Sequence, residues 1–374
     1  MHRSGHRRAA CAAAIVLAAV TALVPARPAS ASIAGEAAFF ASPHSDQVVV
    51  LAGGKRTSVS AYPVAQVLAG HFTSSDGAQA FLYNPGPGPD GLLDVRRDGS
   101  GLATTLTSMP VSGRFQPFVA DLDLDGRDDI FWYGPGATPD YVWFFEADGS
   151  VTSTPMSMTT VARPVPVLVD GIGDKPARQT VLWYGRGSLP DSIWTFAGRT
   201  PSARRVSISG DYRIIVGDFY RRNYGIGYEQ VIFYEPNGGR SSLWSFHRGD
   251  GAHRSDPVPS PGKGYIPVVT GAGMHGGDYP YWYGPGGAPE KVSWFDGGKM
   301  VTSDMTKVSG RYRVLQDVQG RSAAEEVIFL TEDTTARSIQ LAPEHYPLLG
   351  TVTAIPDVPR AARGASTWFE HPVE

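Results

Sequence analysis

Short apolar runs, set apart by polar and Gly/Pro-rich turns, repeat along this chain in a fixed order. The first of each set is an apolar run, at 115–120, 165–169, 212–216, 265–270 and 312–315. The second is aromatic and ends in Tyr. A Gly/Pro turn leads to a third run such as Asp140-Tyr141-Val142-Trp143-Phe144-Phe145, and a tight turn leads to a short polar fourth. The tight turns are Gly53-Gly54, Asp98-Gly99, Asp148-Gly149, Asp250-Gly251 and Asp296-Gly297, which are strong hairpin signals. After residue 31, no segment sustains the 3.6-residue apolar period of a helix. The pattern predicts an all-β chain with four strands per unit.

The unit repeats. Its aromatic run ends at Tyr83-Asn84-Pro85-Gly86, Tyr133-Gly134-Pro135-Gly136, Tyr184-Gly185-Arg186-Gly187, Tyr234-Glu235-Pro236-Asn237 and Tyr283-Gly284-Pro285-Gly286, in steps of 50, 51, 50 and 49 residues. A weaker copy lies at Phe329-Leu330. Trp143, Trp194, Trp244 and Trp294 follow the last four Tyr anchors by ten or eleven residues. The longer last spacing predicts an extra loop residue. Periods of this length built from short strands predict a β-propeller. A lone four-stranded sheet cannot bury both faces, but sheets stacked around an axis cover one another. Neighbouring strand residues point to opposite faces, so Trp132 and Tyr133 should pack against different adjacent blades. Recurrence of Trp132, Trp183 and Trp282, and of the second Trp series, assigns these rings to blade packing rather than to stacking on sugars. A binding surface is then expected in the irregular loops 220–228 and 275–279.

First strands are expected near residues 64, 115, 164, 212, 264 and 312, and again near 349. Residues 348–355 and Ser366-Thr367-Trp368-Phe369-Glu370 read as the first two strands of a seventh blade. Near the N-terminus, 46–51 and 57–62 read as its third and fourth strands. Joined, these ends make seven four-stranded antiparallel blades, the last closed by N- and C-terminal strands, with no free edge. The alternative is six blades, with Ala37-Ala38-Phe39-Phe40 as a second strand and the C-terminus as a tail.

Residues 1–31 read as a secretory signal peptide: Arg3, Arg7 and Arg8, an apolar stretch over 11–24, and Ala29-Ser30-Ala31 at the cleavage point. Residues 32–374 then form one propeller domain, secreted and without a membrane-inserted segment. The single Cys11 leaves with the leader, so no disulfide supports the exported chain. Removing the four leader arginines from 33 basic residues leaves 29 against 36 acidic, a net charge of −7. That balance disfavours nucleic acid as a partner. The expected state is a monomer.

Chemistry concentrates in Asp121-Leu122-Asp123-Leu124-Asp125-Gly126-Arg127-Asp128-Asp129, which runs straight into Ile130-Phe131-Trp132-Tyr133. Alternating carboxylates, a Gly that permits a sharp turn and a final acid describe a loop around a hard cation. Calcium takes about six to eight oxygens, and without a cation these carboxylates repel one another. This loop, its aromatic strand and the 50-residue period resemble the FG-GAP/VCBS repeat family of integrin-alpha-type propellers, over roughly residues 46–371. The resemblance implies calcium ligation by Asp121, Asp123, Asp125 and Asp129, with the Arg127 backbone carbonyl as a further ligand and Asp128 facing away. Other loops depart from the pattern. Asp170-Gly171-Ile172-Gly173-Asp174 keeps two acids, and Asp218 opens a loop with Arg221 and Arg222 that is expected to be solvated. Residues 74–76, 271–275 and 317–320 lack the ligands for calcium.

No Gly-x-Ser-x-Gly elbow, His-Glu-x-x-His, Walker loop or dinucleotide fingerprint occurs. The seven histidines beyond the leader are scattered through unlike parts of the repeat. The resulting expectation is a secreted, calcium-stabilised, non-enzymatic scaffold that binds a glycan, a cell-wall polymer or a protein. A propeller hydrolase or lyase using a carboxylate pair on polysaccharide is the alternative.

Overall fold

The computed structural model describes residues 30–355, apart from 35–36, 42–45, 53–54, 74–76, 99–100, 135, 158–161, 170–177, 220–228, 247–252, 272–277, 297–298, 306–312, 318–324, 331–335 and 342–350. The leader up to residue 29, the loops 170–174 and 220–228, His275 and residues 366–370 lie outside the described residues. Within them the chain forms only strands and connections, with no helix. Seven four-stranded sheets follow in sequence order, at 30–60, 66–108, 116–156, 163–206, 213–258, 266–304 and 313–355. Each is an antiparallel meander, and the first strand of each sheet lies beside the first strand of the next. The fold is a seven-bladed β-propeller.

Six expected first strands lie within two residues of their predicted starts, from Gln66–Gly70 to Arg313–Asp317. The seventh does not. Thr351–Ile355 is the fourth strand of the last sheet and pairs with Ala336–Leu341. The N-terminal hairpin finds its inner strands locally, Ala37–Ala41 pairing with Gln47–Ala52 and Ser30–Ala34 pairing with Ala37–Ala41. Among the described residues, no blade is shared between the chain ends. The physical reason is loop closure: pairing through a few residues costs less entropy than pairing across about 300. Ala37–Ala41 is the strand of the six-bladed alternative, yet the count remains seven because 313–355 makes a sheet of its own. The first strand begins at Ser30, two residues before the expected start of the exported chain.

Between blades, the consecutive aromatics divide as expected. Trp132 packs with Phe81, Tyr83 and Phe115 toward the second blade, while Tyr133 packs with Trp183 toward the fourth. Trp183 and Tyr184 divide the same way between the third–fourth and fourth–fifth interfaces. Trp132, Trp183 and Trp282 are all at most 1% exposed, which removes them as sugar platforms. Trp294 departs from its series. The turn from Tyr283 to Glu290 is as long as that from Tyr184 to Asp191, so the expected extra loop residue is absent. Trp294 instead sits one place later on its strand and faces the other way. Ser293 fills the inward position, and its Oγ accepts a hydrogen bond from Trp282 Nε1 at 2.8 Å.

Three of the Tyr anchors tie their blades to the connection that enters the next. Tyr184 Oη donates to Gly210 O at 2.7 Å and accepts from Tyr212 N at 2.9 Å. Tyr83 bridges Gly113 and Phe115, and Tyr234 bridges Gly262 and Tyr265, in the same manner. Gly210 has φ +140°, and a Cβ there would lie 2.6 Å from the Tyr212 ring, so the position requires glycine.

Candidate metal centre

In the third blade, strands Gln116–Ala120 and Asp129–Tyr133 are joined by the acidic loop. Ala120 pairs with Asp129, so the loop leaves and re-enters the sheet at neighbouring positions. Two features force its path. Leu122 is 1% exposed and pins the loop into the core between the third and fourth blades. Leu124 and Gly126 then turn the backbone back at φ +61° and +89°. Leu124 is the one non-glycine residue with positive φ among those described. A leucine in that region stores strain, which the surrounding contacts must overcome.

That path brings Asp121, Asp123 and Asp129 together, with one carboxylate oxygen from each lying within 4.8 Å of the others. Asp129 is buried; its carboxylate accepts from Leu122 N at 3.0 Å and Phe145 N at 3.2 Å, which fixes its orientation. Asp121 accepts from Asp125 N at 3.1 Å and Gly126 N at 3.0 Å. Burial pushes the Asp129 carboxyl up to about 8, reinforced by Asp123 and opposed by its two backbone donors. Burial likewise pushes Asp121 up to about 7, against the Gly126 N–H and with the charges of Asp128, Asp125 and Asp123 adding to the rise.

Of the four expected carboxylates, Asp125 stands outside this group. Asp125 turns away and pairs with the Arg127 guanidinium, accepting from Arg127 N as well at 2.9 Å. Arg127 itself reaches across to Phe145 O, its Nε donating at 2.8 Å. A guanidinium beside it gives Asp125 a partner without an ion, so the carboxylate has no electrostatic reason to converge on the other three. Asp128 does face away from the group, yet it is not idle. It accepts from His71 N at 2.7 Å, and its own N–H donates to His71 O at 2.8 Å. This backbone clasp joins the second blade to the third.

The same clasp recurs on the repeat period. Glu229 accepts from Leu168 N at 2.5 Å, and Asp278 accepts from Asp218 N at 2.7 Å. The backbone of Asp218 thus belongs to a blade junction, while the loop after it, expected to be solvated, lies outside the described residues. Acids at or just before the start of the second strand, at 128, 229 and 278, were the available sequence signal. A second signal was the acid following proline at Asp90, Asp140, Asp191 and Glu290. Asp191, for example, caps the turn at Gly185 N at 2.7 Å and holds Ile208 N at 2.7 Å.

Sequence reasoning also missed Arg199, 76 residues from its partner. It lies in the turn between Asp191–Ala197 and Thr200–Val206 of the fourth blade. Its Nε donates to Asp123 Oδ2 at 2.8 Å, its Nη1 pairs with Glu146 at 2.8 Å, and the guanidinium sits 4.9 Å over the Phe144 ring. No sequence signal marks it.

Three converging carboxylates, two of them oriented by backbone N–H groups, fit a hard divalent cation, with backbone carbonyls and water completing the shell. The donor set holds no sulfur or imidazole, which argues against zinc or copper.

No protein-family model matches this chain, and no curated protein matches it in sequence. Solved structures share its fold. A protein from Lactobacillus plantarum aligns with a TM-score of 0.53 at 11% identity, covering 86% of this chain and 95% of that one. A putative 6-phosphogluconolactonase from Bacteroides uniformis aligns at 0.53 and 10% identity, covering 83% and 93%. A putative 6-phosphogluconolactonase from Bacteroides fragilis aligns at 0.51 and 11%, covering 84% and 92%. At such identities the likeness is one of fold alone.

Proposed function

We propose that this chain is a secreted, calcium-stabilised β-propeller of FG-GAP/VCBS character that acts as a non-enzymatic scaffold, presenting loops to a glycan, a cell-wall polymer or a protein. The observation that carries the calcium reading is the convergence of Asp121, Asp123 and Asp129 at the end of one blade. Asp121 and Asp129 would hold the ion with Asp123, and the ion would supply charge neutralisation rather than chemistry. It would stiffen the loop and so fix the register of the strands on either side.

The binding reading follows from where the aromatic and acidic side chains go. The regular tryptophans are taken up by blade packing. The carboxylates Asp128, Glu229 and Asp278 are engaged by backbone N–H groups across blade junctions. Recognition is then left to loops on a rigid ring, the usual division of labour in such scaffolds.

The test is a screen of the purified protein against polysaccharides, with calcium and with chelator. Saturable binding without product is expected. Polysaccharide turnover would replace this reading with that of a propeller hydrolase or lyase.

A further inference from the structure

The metal loop belongs to the third blade, but one of its three converging carboxylates is held by the fourth. Arg199 donates to Asp123 at 2.8 Å while also pairing with Glu146 at 2.8 Å and lying over Phe144. Asp123 is the more enclosed partner, its side chain 8% exposed against 36% for Arg199. The two other members of the group, Asp121 and Asp129, are held by backbone N–H donors. Asp125 has its own guanidinium in Arg127. Among the described residues, Arg199 is therefore the one side-chain cation placed on the converging group, and it comes from another blade.

Its geometry suits exchange. A divalent ion shared by Asp121, Asp123 and Asp129 draws on the Asp123 carboxylate that Arg199 now holds. Arg199 can yield that carboxylate without being stranded, because Glu146 and the Phe144 ring both remain beside it. We propose that Arg199 is a tethered counter-cation: it neutralises Asp123 and latches the loop to the fourth blade when no divalent ion is bound, and it competes with calcium for that carboxylate. This rests on the calcium reading above and adds the regulation of the same site. The latch lowers the affinity of the site for calcium and protects the ion-free fold from carboxylate repulsion.

Calorimetric titration of the full chain with calcium chloride tests this, using wild type, R199Q and R199K, each with melting curves in chelator and in excess calcium. R199Q is expected to bind calcium about fivefold more tightly, the scale of a partly exposed ion pair. Its melting temperature should fall below that of wild type in chelator, and the gap should narrow in excess calcium. R199K keeps the charge and should keep affinity within about twofold of wild type. A calcium response in R199Q that wild type lacks would also uphold the latch. If wild type binds calcium and R199Q binds equally or more weakly, the latch is wrong and the calcium reading stands. If no variant binds calcium or shifts its melt, both fall together.

Discussion

Asp129 serves two ends with one carboxylate. It holds Leu122 N and Phe145 N, and it closes the acidic group with Asp121 and Asp123. The accompanying desolvation makes it a titration handle. Burial raises Asp129 and Glu229 each to about 8 and Asp121 to about 7. Unfolded carboxylates titrate near pH 4. A group raised on folding stabilises fully below its unfolded value and loses that contribution as pH climbs through its folded value. The ion-free protein should therefore melt at lower temperature at about pH 8.5 than at about pH 5.5, and Glu229→Gln should flatten that slope. Calcium should reverse the share due to Asp121 and Asp129, because it binds the ionised form. Melting curves in chelator that rise across this range would refute the assignment. Tyr184 offers a second handle. Tyr184→Phe removes the hydroxyl that accepts from Tyr212 N and donates to Gly210 O, leaving a part-buried N–H unpaired. A loss of about 1–3 kcal/mol is expected by denaturant unfolding.

At the level of strands and junctions, the acid at or just before the start of three second strands, Asp128, Glu229 or Asp278, joins blades as a backbone partner would. Asp278 accepts from Asp218 N at 2.7 Å and donates its own N–H to Asp218 O at 2.6 Å. Asp278→Ala keeps the second of these and loses the first, so a loss of about 1–3 kcal/mol and faster proteolysis near residue 218 are expected. Limited digestion with mass readout checks this. The strands themselves were readable because the 50-residue period repeats one hydrophobic order with a Tyr at one fixed place. The junctions were less so. Counting from Tyr283 to Trp294 cannot distinguish an inserted loop residue from a ring moved one place along the strand, and only the strand register settles it. Asp128 was read as the idle member of a cation loop, since a motif describes its own chemistry and hides the blade contact. Residues 348–355 look alike as first or fourth strand, because alternation marks a strand and not its rank. Arg199 could not have been found, as nothing local relates a turn in one blade to a carboxylate in another.

For the molecule as a whole, contiguous blades change how an ion should act. Among the described residues, no strand exchange between the chain ends couples the first sheet to the last. Stability is then carried by successive blade interfaces, each an aromatic or aliphatic cluster of its own. A cation held by Asp121, Asp123 and Asp129 would lie at the interface with the fourth blade, where Leu122 and Trp183 are buried together. A ligand that binds only the folded form adds about 2.7 kcal/mol at a hundredfold excess over its dissociation constant. Excess chelator should lower the melting temperature by several degrees for that reason. Asp123→Ala should abolish the calcium response while leaving the β-rich circular dichroism spectrum unchanged. If melting splits into stages, the calcium-sensitive stage should be the one that exposes Trp183 and Trp194, followed by their fluorescence. An equal shift in every stage would instead mean that the ring unfolds as one unit and that the ion's effect spreads through all seven blades.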